Sequence, residues 1–249
     1  MSYTETLLFK EILEQGTILK DLQKDSEAAM LQIADKLKNK EIKQIVVVAR
    51  GSSGYACDYF AYLAEICTKY SVKVVQPSVV TVYDGLIALD NSLVVGVSQS
   101  GMAQDVLCCL ERAKLNNSIV VSVTNSLDSP IAKVADVHLY CNAGLEKSVA
   151  ATKSFSSSMF LLMLLVRQLS DSPLLKSAPD NIVRGVNQTL QNQQAISQYA
   201  MQNFVDTKDA FVLARGLNFA IAKETALKFS ETSYIKALAF SVAEFQHGP

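Results

Sequence analysis

The sequence predicts an α/β fold, a doubly wound parallel sheet with flanking helices, and three observations predict it. Five short apolar runs rich in β-branched residues alternate with longer stretches of helical periodicity. The runs are almost continuously apolar, as suits parallel strands covered on both faces. Segments bearing glycine and serine follow two of them, where a parallel sheet turns from strand into helix. The chain has 249 residues, 49% hydrophobic and 19% charged, with a mean hydropathy of +0.19. That composition forms a core, whereas a disordered chain shows few apolar residues and a large net charge.

The elements follow in order. Leu7, Leu8 and Ile12, then Ile18, Leu19 and Leu22, recur at helical spacing, and Met30, Ile33, Ala34 and Leu37 repeat the pattern between Glu27 and Asn39. Residues 1–40 are read as an N-terminal helical segment. Strands are expected at Ile45–Ala49, Val72–Val75, Leu93–Val97, Ile119–Val123 and Val137–Cys141, with helices at Ala56–Lys69, Ala103–Leu115 and Pro130–Val134. A long helix from about Thr152 to Leu169 closes a first domain over 41–172. Pro173, Pro179 and many Asn and Gln residues mark a boundary, read as a helical connection over 173–207. Beyond it Ile45-Val-Val-Val-Ala-Arg-Gly51 is answered by Ala210-Phe-Val-Leu-Ala-Arg-Gly216, so that Arg50 maps onto Arg215 at an offset of 165. The stretch 208–249 is too short for a parallel sheet, whose crossovers each need a dozen or more residues, and is expected to be the beginning of a second domain, truncated in this chain.

Charge and cysteine usage narrow the function classes. Lys and Arg number 23 against 24 Asp and Glu, which argues against a nucleic-acid or membrane-surface partner, since both favour a basic stripe. The longest apolar run, Met159–Val166, falls far below the roughly 20 residues that span a bilayer, and acidic residues in MSYTETLLFKEILEQ exclude a signal peptide. Five cysteines (Cys57, Cys67, Cys108, Cys109 and Cys141) are an odd count without metal-ligand spacing and read as reduced, mostly buried thiols of a cytoplasmic protein.

Two loops carry chemistry. Arg50-Gly51-Ser52-Ser53-Gly54 follows the first strand, and Ser98-Gln99-Ser100-Gly101 follows the run LVVGV. Glycine lets the backbone approach an anion, and amides at a helix N-terminus supply donors. Capping of an ordinary strand-to-helix turn by serine is the plain alternative for either loop alone. Two of them at neighbouring strand ends point to an anion site. Neither GxxxxGK[ST] nor GxGxxG occurs, so a small phosphorylated ligand fits better than a nucleotide. Thr152 and Ser154, at the start of the long helix, are expected to donate to the same ligand. Near the end, Glu224, Lys228 and Glu231 lie at i, i+4 and i+7 on one helical face, either as an exposed ion pair or as a positioned acid/base. His247 sits in a loop, where it can shuttle protons near neutral pH, while His138 lies inside a strand pattern.

The segments ARGSSGYA, SVSQSGMAQDV, EKSVAATKSF, ARGLNFAIAKETALKFSETSYIKALAFSVAEFQHGP and KEILEQ resemble the sugar isomerase (SIS) family. Within it they are similar to the isomerase half of glucosamine-6-phosphate synthases and, more closely, to stand-alone type II glucosamine-6-phosphate deaminases. The resemblance runs from about Lys10 to Pro249 and implies two tandem flavodoxin-like α/β domains. It implies phosphate recognition by Ser52, Ser53, Ser98, Gln99 and Ser100, with Val149 and Ala151 lining the sugar pocket. Glu231 matches the family's general base between C1 and C2 of the open-chain sugar, Lys228 a lysine at the sugar oxygens, and His247 the histidine that opens the ring across a dimer interface. The implied reaction converts glucosamine 6-phosphate to fructose 6-phosphate and ammonia, without metal or cofactor, in a homodimer whose active site is shared. Isomerisation or deglycation of another phosphosugar, or a sugar-phosphate sensor without turnover, are the alternatives. Two departures stand out. Met102 and Ala103 follow SQSG where the synthase pattern has an acid and a nearby threonine, and Ala151 replaces a serine.

Overall fold

A computed structural model describes residues 3–38 and 40–248, so Met1, Ser2, Asn39 and Pro249 of the expected end segments lie outside the described residues. The N-terminal periodicity is realised as α1 (Leu7–Asp25) and α2 (Glu27–Lys38). Thr6 caps α1 by accepting from the Phe9 amide at 3.2 Å. From there strand and helix alternate as β1 (Gln44–Val48), α3 (Gly51–Cys67), β2 (Ser71–Val75), the single turn α4 (Ser78–Thr81), β3 (Ser92–Val97), α5 (Gln104–Leu115), β4 (Ile119–Thr124), α6 (Pro130–Val134), β5 (Val137–Tyr140) and α7 (Lys153–Gln168). The remainder is α8 (Ala178–Gln191), α9 (Gln193–Phe204), β6 (Asp209–Ala214), α10 (Leu217–Ser233), β7 (Lys236–Ser241) and α11 (Val242–Phe245). No helix of the described residues is long and apolar enough to cross a membrane.

β1 to β5 form one parallel sheet in the order β2-β1-β3-β4-β5. β1, β3 and β4 are buried on both faces, and alternate residues feed two cores. Ile45, Val47, Leu93, Val95, Val121 and Val123 pack under α1, α2, α3 and α7, while Val46, Val48, Val94 and Val120 pack under α4, α5 and α6. The chain leaves β1 toward one edge and resumes at β3 on β1's other side. The crevice between the carboxyl ends of β1 and β3 is therefore the switch point at which such sheets bind ligands. Both glycine- and serine-bearing loops open onto it.

β6 and β7 pair in parallel as a separate two-stranded sheet. The sequence repeat is carried into three dimensions here. Gly51 (φ +56°) and Gly216 (φ +63°) occupy the left-handed region at the two strand-to-helix junctions, and each leads into a helix of 17 residues. α10 packs against α3. Lys223 on α10 meets Asp58 on α3 at 2.9 Å, a pair separated by 165 residues, the offset of the repeat itself. The two partners thus hold equivalent places on the two helices.

One expected boundary moves. Ser52, Ser53 and Gly54 are not a loop but the first turn of α3, because Gly51 can take the left-handed conformation directly after the N-cap residue Arg50. All five cysteines are free, with Cys57, Cys109 and Cys141 buried. His138 is half-buried, its Nε2 lies 3.0 Å from Thr124 Oγ1, and burial lowers its pKa.

The glycine after Ser100 separates two costs. Gly101 has φ +67°, and a Cβ there would lie 2.0 Å from Ser129 Oγ, the hydroxyl that caps α6 by accepting from the Ala132 amide. Gly51 has a positive φ but open space around it. Gly51→Ala is expected to cost about 1–2 kcal/mol for the left-handed backbone alone. Gly101→Ala is expected to cost about 1–3 kcal/mol more than that, since packing must also yield. Urea denaturation of the two variants measures the difference, and equal losses would remove the packing explanation.

Candidate active site

The first turn of α3 presents Ser52 and Ser53 at the carboxyl end of β1, and no side chain caps that helix. Its leading amides thus remain donors at the positive end of the helix dipole. The Arg50 side chain turns aside and pairs with Asp105 in the first turn of α5 at 2.7 Å, tying the two loops together. Beyond β3, Ser98 is buried and its Oγ accepts from the Gly101 amide at 3.2 Å, while Ser100 Oγ accepts from the Met102 amide at 3.3 Å. Acceptance leaves each O–H to serve as a donor. Gln99 is exposed, and its backbone carbonyl receives the Asn125 amide at 2.9 Å, which anchors this loop to the end of β4.

These segments converge. Ser52, Ser53, Gln99, Ala151, Ser154, Phe155 and Ser158 line one small pocket. Three separate segments of the sequence are thereby neighbours, whereas Ser98, buried, and Ser100, exposed, lie outside that lining. Val149, expected in the same wall, is 97% exposed and outside that lining. The start of α7 also differs in its donors. Thr152 and Ser154 do not wait for a ligand but donate to Glu146. Its Oε1 accepts from the Thr152 amide (2.9 Å), Thr152 Oγ1 (3.1 Å) and the Ser154 amide (3.2 Å), and its Oε2 accepts from Ser154 Oγ. The amino end of α7 is filled by an internal carboxylate.

Lys228 connects α10 to the pocket. Its Nζ donates to Glu231 Oε2 at 2.6 Å and to Ser52 Oγ at 3.4 Å, and lies 3.2 Å from Glu224 Oε1. The three residues expected on one helical face do share it, and that face meets the first turn of α3. Glu224 is 5% exposed, and neither of its oxygens accepts a well-formed hydrogen bond. Burial pushes its carboxyl above the usual range, and the Lys228 charge opposes the rise. Glu231 keeps partial solvent contact, its side chain 31% exposed. Among the described residues, then, α10 offers a protonatable buried acid, an ammonium and an accessible carboxylate within about two turns. His247 is not brought to them. It is exposed after α11, with its amide bonded to the Glu244 carbonyl at 3.0 Å.

The fold and this pocket define a class. Residues 38–167 match the SIS domain model, and the chain belongs to that family. Among curated relatives it is similar to the glutamine--fructose-6-phosphate aminotransferase [isomerizing] of Caldanaerobacter subterraneus subsp. tengcongensis, 31% identical over 263 residues that cover 98% of this chain and 42% of that protein. The chain thus spans about two fifths of the length of the curated relatives it matches. Among solved structures it is similar to a candidate phosphosugar isomerase from Silicibacter pomeroyi DSS-3, with TM-score 0.89 and 32% identity over 98% of this chain and 74% of that one. It shares the fold of glucosamine-6-phosphate deaminase from Thermotoga maritima, with TM-score 0.76 and 24% identity over 98% and 72% of the two chains.

Glu11, Glu14 and Glu146 escaped the site expected from sequence. Glu11 alone left a signal there, an acid on the apolar stripe of α1 between Leu8 and Leu19.

The raised Glu224 carboxyl yields a pH dependence. A carboxyl whose folded pKa exceeds its unfolded value binds its proton more tightly when folded, so stability falls as pH rises from the unfolded value through the folded one. Removing Lys228 lifts the opposing charge and extends that window upward. Lys228→Met is expected to lose up to about 3 kcal/mol at pH 8, the low end for breaking a buried ion pair, and less at pH 5. Urea denaturation at the two pH values checks this; a loss independent of pH would show that Glu224 does not govern it.

Proposed function

We propose that this chain acts on a phosphorylated amino sugar, converting glucosamine 6-phosphate and water to fructose 6-phosphate and ammonia. The observation that carries the reading is Lys228, held between two carboxylates while in hydrogen-bond reach of Ser52 in the pocket at the switch point. In this reading the phosphate rests on the first-turn amides of α3, on Ser52 and Ser53, and on the Ser98, Gln99 and Ser100 loop. The net charge of −1 suits such a site, because amides, hydroxyls and the helix dipole supply the donors in place of a basic patch.

The reacting end of the open-chain sugar then lies toward α10. Glu231 takes the proton from C2 and returns it to C1, and the amine-bearing carbon becomes an iminium. Water adds to that carbon and ammonia leaves, which balances the reaction without an electron acceptor. Lys228 orients the sugar oxygens and holds the Glu231 carboxylate at 2.6 Å. Ring opening is assigned to His247 of a second copy of the chain, because His247 is exposed in its own copy and separate from Glu231. The active species is accordingly a homodimer that shares its sites. The similarity to an aminotransferase described as isomerizing and to a candidate phosphosugar isomerase supports proton transfer on a phosphosugar. Ala151 in the wall, and Met102 and Ala103 after SQSG in place of an acid and a threonine, leave a cage with fewer hydroxyls than the synthase pattern.

Glu231→Gln keeps the shape of the side chain and removes the base. It is expected to cut ammonia release from glucosamine 6-phosphate by about 10²–10⁴-fold, the usual contribution of a general base, while sugar-phosphate binding persists. An unchanged rate would overturn the assignment. Stabilisation of the wild type by hexose 6-phosphates without any turnover would instead mark a sensor.

A further inference from the structure

One buried carboxylate belongs neither to the pocket lining nor to the α10 cluster. Glu11, on α1, is 4% exposed. Its Oε1 accepts from the amides of Lys147 and Ser148, and its Oε2 accepts from the Ser148 amide at 3.2 Å and from Ser148 Oγ. Burial alone would raise this carboxyl, but the hydrogen bonds from Ser148 and the two amides more than offset it and hold it below the usual range. The partners lie more than 130 residues away in sequence, on the stretch between β5 and α7 that contains no helix or strand. Chain without ladder or helix bonds takes its path from such side-chain acceptors. Three residues beyond Ser148 is Ala151, a wall of the pocket with Ser52, Ser53 and Gln99. One turn along α1, Glu14 pairs at 2.6 Å with Lys153, whose side chain is only 4% exposed.

We propose that Glu11 is a positioning residue for the phosphosugar pocket. It sets the path of residues 147–151 and so places Ala151 against the first turn of α3 and the Gln99 loop. The proposal rests on the phosphosugar reading above. α1 is then part of the binding machinery although it contributes nothing to the pocket surface. The carboxylate does this where a neutral group would not. It accepts on both oxygens, whereas an amide in its place turns an N–H₂ toward donors.

The test compares the full chain with Glu11→Gln. Titration calorimetry with glucosamine 6-phosphate, steady-state kinetics and amide hydrogen exchange of the ligand-free protein are read together. Glu11→Gln is expected to raise Kd and KM about five- to tenfold, on the scale of one lost charged hydrogen bond, with kcat within about twofold of wild type. Exchange of the 147–151 amides should quicken. Asp21→Asn, which removes an exposed charge from the same helix, should change none of these. Wild type that binds glucosamine 6-phosphate alongside an unaltered Kd in Glu11→Gln overturns the proposal alone. Wild type that binds no phosphosugar overturns the reading of the pocket and this proposal with it. If Glu11→Gln does not fold, Ser148→Ala decides, because it removes one donor and leaves the carboxylate buried. It should weaken binding about two- to threefold, and unchanged binding there overturns the proposal as well.

Discussion

Lys228 has to serve two carboxylates of its own helix and a serine of another. Glu224 is buried so deeply on α10 that its charge is tolerable only beside a cation. The cation that meets this need is the one that reaches Ser52 at the start of α3. The same ammonium therefore fixes the distance between α10 and the pocket. A second pair, Lys223 with Asp58, sits farther along the same helix contact and resists rotation about the first. The packing of α10 on α3 and the chemistry at their junction are consequently one arrangement.

The other half of the site is built almost without side-chain charge. Crossing from β1 to β3 at the switch point leaves two helix openings facing one crevice; no side chain caps α3, while at α5 Asp105 Oδ1 accepts from the Val106 amide at 3.0 Å. Arg50 stands at the mouth, yet Asp105 occupies it. At α7, Glu146 fills the amino end. Of the three helix openings near the pocket, that of α3 is thus the one left without a side-chain acceptor, while carboxylates stand at the other two. A ligand bound by dipoles and hydroxyls is released more readily than one gripped by lysines.

The sheet was legible because burial on both faces leaves an unmistakable run, as in Ile45–Ala49 and Leu93–Val97. The helical triplet on α10 was legible for the matching reason, since spacing alone puts Glu224, Lys228 and Glu231 on one face. The start of α3 was misplaced because glycine and serine signal a turn equally well when they form a helix's first turn behind a left-handed glycine. Thr152 and Ser154 looked free because their partner, Glu146, lies in an irregular stretch with no period to betray where it folds back. Glu11 and Ser148 are farther apart still, and local pattern carries no information about which distant loop a helix will touch. His247 was assigned by resemblance alone, and within one copy of the chain it stays exposed after α11.

The two halves of the internal repeat touch each other through Asp58 and Lys223, equivalent positions on α3 and α10. Were the two helices identical, that position would confront itself, and whichever charge it carried would be repelled. Opposite charges can occur there only because both copies lie on one polypeptide, where each is free to change without the other. Covalent linkage has let a symmetric contact become a polar one, and so has given α10 a single correct orientation over α3.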